Sequence, residues 1–452
     1  MTENVTQTID STHFTGPVFT PDDAGYAAEI AGFQTAYTHR PALVVGAVHA
    51  EDVRAAVEYA ARHGLPAAVQ ATGHGLSVAA DRGVLITTRR MDAVTVDARA
   101  HTARVGAGVR AGALVEAAAR HGLAPLTGSS PSVGVVGYVL GGGVGLLARE
   151  FGYAADHVRA IDLVTADGRM RTLTPADDLF GAVLGSGGNF GVVTGLELDL
   201  MPVTEVYGGQ LIFDTPLVDA ALEAWRAWTA TLPDTLTSTV AVVTFPDIAP
   251  VPEPLRGRHV ASIRVAYDGP AAEGERLVAP LRAIGDRLRD DLRTMPYIDS
   301  HTIHSDPDFP HAYAATNALL SELTPGTLAA LRGQTAPGGP VDAVVDIRHL
   351  GGALRRGSAA AVDHRDAAYV VRVITDAGPG DAAPAGLAAV RAALAPWTIG
   401  HSLNFLYGAG AAADAAQTEA GFAPATYTRL AAAKATYDPR NMFRFNRNIA
   451  PA

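Results

Sequence analysis

A chain of 452 residues, 48% of them hydrophobic, is too long for one simple core and long enough for two or three layers around a buried ligand. A net charge of -11, from 46 acidic and 35 basic residues, excludes a protein whose main task is clasping nucleic-acid phosphates and favours a small neutral or cationic substrate. With no cysteine there is no disulfide framework, thiolate nucleophile or cysteine-ligated metal.

The first 20 residues carry Glu3, Thr6, Asp10 and Pro17, with neither a basic start nor an unbroken apolar run. No secretory signal is expected there, a cytoplasmic location is, and no apolar run is long enough to cross a bilayer. From residue 41, PALVVGAV reads as a strand and AEDVRAAVEYAARHG as a helix with Val53, Val57 and Ala60 on one face, ended by Gly64. PAAVQATGHG is a short strand entering a glycine turn, and GVLITT a further strand, a βαβ beginning. A second block follows: HTARVGAGVR as strand and turn, AGALVEAAARHG as a helix stopped by Gly122, then a glycine-rich segment to Gly145. VRAIDLVTADGRMRTL reads as two strands joined at Asp167 and Gly168, a favoured hairpin turn. Beyond residue 203 the strands QLIFDT, VAVVTF, HVASIRVAY and YVVRVIT alternate with alanine- and arginine-rich helices, as in an α+β domain. ATYTRLAAAKATYDPRNMF is an amphipathic helix ended by Asp438 and Pro439, and the polar FRFNRNIAP after it reads as a tail that folds back onto a site.

Glycines let backbone N–H groups approach a pyrophosphate closely. The run from Gly106 to Ala111 matches G-x-G-x-x-A between strand and helix, but no acidic residue ends a strand about 20 residues later, so an NAD-type domain is disfavoured. GSGGNFG places Phe190 where a last glycine would belong, and reads as something else.

Three glycine-bearing segments taken together are more specific: Ala71-Thr72-Gly73-His74-Gly75, then Pro131-Ser132-Val133-Gly134 running to Gly141-Gly142-Gly143-Val144-Gly145, then Gly187-Gly188-Asn189-Phe190-Gly191-Val192-Val193-Thr194. With Tyr437-Asp438-Pro439, Asn441-Met442-Phe443 and Asn446-Arg447-Asn448-Ile449-Ala450-Pro451, this constellation resembles the berberine bridge enzyme family, a branch of the vanillyl-alcohol oxidase superfamily, over about residues 37–452. The resemblance implies an α+β fold. Its parts are a two-part PCMH-type FAD-binding domain over residues 1–202 (core about 37–202), an α+β substrate-binding domain with an antiparallel sheet over 203–404, and a C-terminal segment, 405–452, that returns to the FAD-binding domain.

It further implies that the loop of Ala71, Thr72, Gly73, Gly75 and Leu76 wraps the FAD pyrophosphate, and that His74 carries the 8α-carbon of the flavin ring through a ring nitrogen. Gly128, Ser129, Ser130, Val133, Gly134 and Gly137 are expected against the cofactor, as are Tyr138, Gly141, Gly142, Val144 and Gly145. Val193, Asn404, Asn446 and Asn448 complete that set. Where many relatives carry a second tether, a cysteine, this sequence has Ser130, so one covalent bond and a more open flavin face are expected. Tyr138 stands where relatives often carry a histidine that supports charge at the N1–C2 edge; a donating hydroxyl and a ring packed beneath the flavin are both open readings. Val135 falls at the expected oxygen gate, as in oxygen-reactive members.

The family's usual catalytic tyrosine is missing, because Ser402 stands two residues before Asn404-Phe405. Tyr138, Tyr407, Tyr369 and His401 are the remaining candidates for proton handling, and a C–H beside an amine could need no base. His301, His304 and His311 lie with Asp306 and Asp308 in a proline-bearing loop; such clusters can bind metal, but no metal is expected here and the loop can instead line the substrate pocket. The implied activity is that of an FAD-dependent oxidase passing a hydride from a small organic molecule to flavin N5, with molecular oxygen as acceptor and hydrogen peroxide as product. A dehydrogenase using another acceptor and a flavoprotein that binds a metabolite without turnover are the alternatives. No nucleic-acid or membrane partner is expected. The composition suits a GC-rich bacterial genome and secondary metabolism, and no motif in residues 203–404 selects among alcohols, sugars and amines.

Overall fold

The structure, a computed structural model, describes residues 13–378, 383–408 and 414–452. Residues 1–12, which carry most of the amino-terminal reading, lie outside them.

Three sheets make up the molecule. The first has β1 (Val18–Phe19), β2 (Leu43–Gly46), β3 (Ala67–Gln70) and β4 (Val84–Thr87) in the order β1-β2-β4-β3, with β4 parallel to both β2 and β3. Every position of β2 and β4 is buried, as parallel strands covered on both faces require. The helix Ala50–His63 lays Val53, Ala56, Val57 and Ala60 against this sheet and ends at Gly64, whose φ of +64° suits a residue without Cβ. The second sheet is antiparallel: β5 (Val94–Asp97), β6 (Thr102–Gly106), β7 (Val158–Val164), β8 (Met170–Leu173) and β9 (Val192–Asp199), ordered β5-β6-β9-β7-β8. Gly168, at φ +76°, turns the β7–β8 hairpin.

The third sheet is also antiparallel. It comprises β10 (Glu205–Phe213), β11 (Leu236–Thr244), β12 (His259–Tyr267), β13 (Arg289–Asp290), β14 (Arg293–Pro296), β15 (Tyr313–Leu320), β16 (Val344–His349), β17 (Tyr369–Asp376) and β18 (Thr398–Gly400). Its order runs β13-β10-β12-β11-β16-β17-β15-β18, with β14 also on β10. Successive strand residues point to opposite faces. On β16 and β17, Val345, Ile347, Val371 and Val373 join Trp225, Val278, Leu331 and Leu387 of the covering helices in one apolar core. Asp346, Arg348, Arg372 and Ile374 therefore face the other way, toward the first two sheets.

Arg149, 4% exposed, ties the glycine-rich segment to this sheet by donating to the carbonyls of Leu236 (2.9 Å) and Leu350 and to the carboxylate of Asp234 (3.2 Å). The chain closes through the helix Pro424–Tyr437, whose Leu430 packs with Ile449 beneath the second sheet while Met442 and Phe443 pack beneath the first. Lys434, fully buried, donates to the carbonyls of Asn189 (2.6 Å) and Phe443 (3.0 Å) and to Asp438 (2.7 Å). Asn189 in turn donates to the Arg447 carbonyl and accepts from the Ile449 amide. The GSGGNFG run is thus partly a clasp for the tail. Among the described residues no helix is long and apolar enough to cross a membrane.

Candidate active site

A cavity of about 450 Å³ runs between the three sheets. One end is built of loops. The segment after β3 turns at Gly73 (φ +75°), where an added Cβ would come within 2.8 Å of the Gly32 Cα, and its Thr72 and Gly73 carbonyls accept from the amides of Phe33 and Gln34. At Gly75 and Gly137 the reverse holds: a Cβ would meet no protein atom and would intrude on the cavity. Glycine there keeps backbone open to a close-lying ligand.

His74 stands on the cavity wall. Its ring stacks on Phe33 (centroids 3.6 Å apart, planes 15° apart), its Nε2 lies 2.9 Å from Ser132 Oγ, and its carbonyl accepts from the Tyr313 hydroxyl at 2.6 Å. Ser132 is 3.1 Å from Ser130, so a short chain of hydroxyls leads away from the imidazole. Burial, reinforced by Arg110 and His311, pushes the His74 pKa down to about 4, which keeps the ring neutral. A neutral ring has a lone pair to offer.

The other end is the inner face of the third sheet. Asp346 on β16 sits across from Arg372 on β17, and its carboxylate meets Arg348 (2.9 Å), Arg372 (3.3 Å) and Arg264 of β12 (3.5 Å). Arg348 and Arg372 line the cavity, and both guanidiniums lie over the Phe405 ring, about 5 Å from its centroid. Tyr407 packs edge-on to Tyr313 beside Arg372. Burial raises the Tyr138 pKa, so that residue stays a phenol; its buried hydroxyl has no partner among the described residues.

The cavity gathers the residues that the family resemblance assigns to the cofactor, from Ala71 to Leu76, Gly128, Ser129, Ser130, Val133, Gly134, Gly137, Tyr138, Gly141, Val144, Val193, Asn404 and Asn446. Gly142, Gly145 and Asn448 are not on its wall. Gly142 packs toward Val362 and Gly145 under the Thr127 carbonyl. Two proton-handling candidates also fall away. Tyr369 shares the parity of Val371 and Val373, so it points into the helix-covered core, where its hydroxyl bonds Thr229 at 2.8 Å. His401 is turned from the cavity, its Nδ1 held 2.6 Å from the Asn317 carbonyl. Val135, expected at the oxygen gate, is buried in the core, whereas Val133 reaches the cavity. Of the histidine-rich loop, Asp306, Pro307 and His311 line the cavity, with Ser129 donating to Asp306. Among the described residues no three His, Asp or Glu side chains converge as a metal site.

Phe33, Tyr313, Arg348 and Arg372 were missed from the sequence, and Ser132 was read only as part of its motif, without its contact to His74. Of the four missed, Arg372 had a usable signal: it lies on the same strand as Tyr369 at the opposite parity.

These residues suit FAD, since glycines leave room for it and the buried Tyr138 hydroxyl and Asn446 Oδ1, both from residues on the cavity wall and without partners among the described residues, would pair with its polar groups. The FAD binding domain model matches residues 41–174, and the model described as berberine and berberine like matches 418–450. The class is therefore an FAD-linked oxidoreductase.

Over 459 aligned residues the chain is 30% identical to (R)-6-hydroxynicotine oxidase of Paenarthrobacter nicotinovorans, covering 96% of this chain and 97% of that protein. The crystal structure of 6-hydroxy-D-nicotine oxidase from Arthrobacter nicotinovorans superposes with a TM-score of 0.82 at 28% identity, over 97% of this chain and 98% of that one. Xylooligosaccharide oxidase from Myceliophthora thermophila, at 21% identity, shares the fold with a TM-score of 0.83 over 97% of each chain. The protein belongs to the berberine bridge enzyme-like family of FAD-linked oxidoreductases.

Proposed function

We propose that the protein is an FAD-dependent oxidase that binds its flavin covalently through His74 and oxidises a small organic molecule held against the third sheet. The observation that carries the reading is the state of His74: neutral, stacked on Phe33, and fixed at Nε2 by Ser132, which leaves Nδ1 as the ring atom for the tether. With Ser130 in place of a cysteine, one tether is all the loop offers. Bound FAD supplies the hydride acceptor, and its reoxidation by molecular oxygen yields hydrogen peroxide.

The chain's own residues divide the remaining work. Tyr138, a phenol whose hydroxyl finds no partner among the described residues, would offer a hydrogen bond to the bound cofactor. Tyr407, which lines the cavity and is hydrogen-bonded to Arg372, is our candidate for proton handling on the substrate side; it would take a proton from an alcohol or enol only as the phenolate, whose charge would lie against the neighbouring guanidinium. The oxidase names of two relatives favour oxygen as acceptor over a separate electron carrier.

The test is to precipitate the protein with acid and follow the yellow colour. Colour kept in the wild-type pellet and lost from it in His74→Ala supports the tether; colour in the supernatant of both refutes it. Turnover measured with and without oxygen separates oxidase from dehydrogenase.

A further inference from the structure

The sheet wall carries a charge imbalance that the fold does not need. Arg264, Arg348 and Arg372 are 13%, 9% and 16% exposed at their side chains, and the carboxylate they share, Asp346, is 1% exposed. Asp306, on the loop facing them, is the other acid in the cluster. Asp346 is held below its usual range despite burial by Arg348, Arg372 and Arg264, and is ionised. Asp306 and His304 form a buried pair in which a charged imidazole would lower Asp306 while burial lowers His304, so together they carry no more than one negative charge. Three guanidiniums thus face at most two negative charges and leave at least one positive charge uncompensated beside the cavity.

Donors are left over as well as charge. The Nε of Arg372, which lines the cavity, is buried and finds no acceptor among the described residues. A buried N–H of a cation is costly to leave unpaired, and beside a cavity an acceptor brought from outside can reach it. Phe405 beneath both guanidiniums fixes their planes and Asp346 anchors both from one side, while Arg348 also reaches the Val144 carbonyl at 3.5 Å and Arg372 the Tyr407 hydroxyl, so a ligand on the cavity side would join these partners.

We propose that Arg372 and Arg348 form an anion subsite, and that the substrate carries a carboxylate, docked on these guanidiniums next to Tyr407. This rests on the oxidase reading and narrows its substrate class, against the neutral or cationic molecule that the net charge of -11 suggested. The whole-chain charge is spread over the surface, whereas the substrate meets the local, desolvated one.

The experiment is calorimetric titration of the holoprotein, at low salt, with small aromatic and open-chain monocarboxylates and the primary amide of each. The expected result is that one or more carboxylates bind, each at least tenfold tighter than its amide. Arg372→Met should erase that preference, and Arg372→Lys should keep part of it. Amides binding as well as carboxylates, no carboxylate binding, or an intact preference in Arg372→Met would each overturn the proposal. So would a variant in which the preference stays and only the flavin reduction potential falls, because the guanidinium would then serve the cofactor. The wild-type comparison needs no variant to fold. Flavin content of the same samples separates the two readings: protein without flavin speaks against the oxidase, while flavin-replete protein without the preference overturns the anion subsite alone.

Discussion

The two ends of the cavity are built by different means. The loop end is made of backbone, with glycines at Gly73, Gly75 and Gly137 and one ring on the wall, His74, held by Phe33 and Ser132. The sheet end is made of side chains: three arginines on one aspartate, two of them over Phe405. A backbone surface can hold the same group in many proteins, because it depends on room and φ more than on chemistry. A side-chain surface is particular to its ligand and can change without disturbing the first.

Substitutions at each end sharpen that contrast. The largest effect is expected at Asp346→Asn, which strips three buried guanidiniums of their shared carboxylate and should cost about 3–5 kcal/mol in chemical denaturation. A loss below about 1 kcal/mol would mean that the arginines are balanced from elsewhere. Lys434→Met attacks the clasp behind the loop end; because Asp438 keeps the amides of Met442 and Phe443, a smaller loss of about 2–3 kcal/mol is expected. It should also expose the tail to protease before the third sheet is cut.

Tyr369→Phe removes one hydrogen bond, to Thr229, and should cost about 1 kcal/mol with kcat/KM unchanged. A fall in turnover at constant stability would return Tyr369 to the catalytic candidates. An effect confined to high pH is expected at Glu150, whose carboxyl burial, with Asp268 adding to it, pushes up to about 7 from 4.5. A folded pKa above the unfolded one means that the folded state holds the proton longer, so stability is lost as pH rises from about 4.5 through 7. Glu150→Gln should therefore melt higher than wild type at pH 8 and alike at pH 4; equal melting at both would place the carboxyl in water.

The same contrast explains what could be read in advance. The helix Ala50–His63, the hairpin at Gly168 and the glycine loop around His74 are local, each signalled by residues close in sequence. The edge strand Val94–Asp97 went unread because its four residues give too short an alternation. Strand β17 was recognised, but which of its faces meets the cavity depends on the helices that cover the other, and so Tyr369 was preferred to Arg372. Phe33 and Ser132 reach His74 only because the chain folds them there, and that Val133 and not Val135 lines the cavity was not readable because motif position does not reveal which side of a turn looks inward.

The clasp between Asn189 and Lys434 joins residues 245 positions apart, an interval that at about 5–20 residues per second takes a ribosome roughly 12–50 seconds to cross. The loop end of the cavity is thus translated well before the segment that locks it. Flavin that enters before Lys434 is made therefore meets a loop end whose back is still open, and flavin that enters later meets it closed.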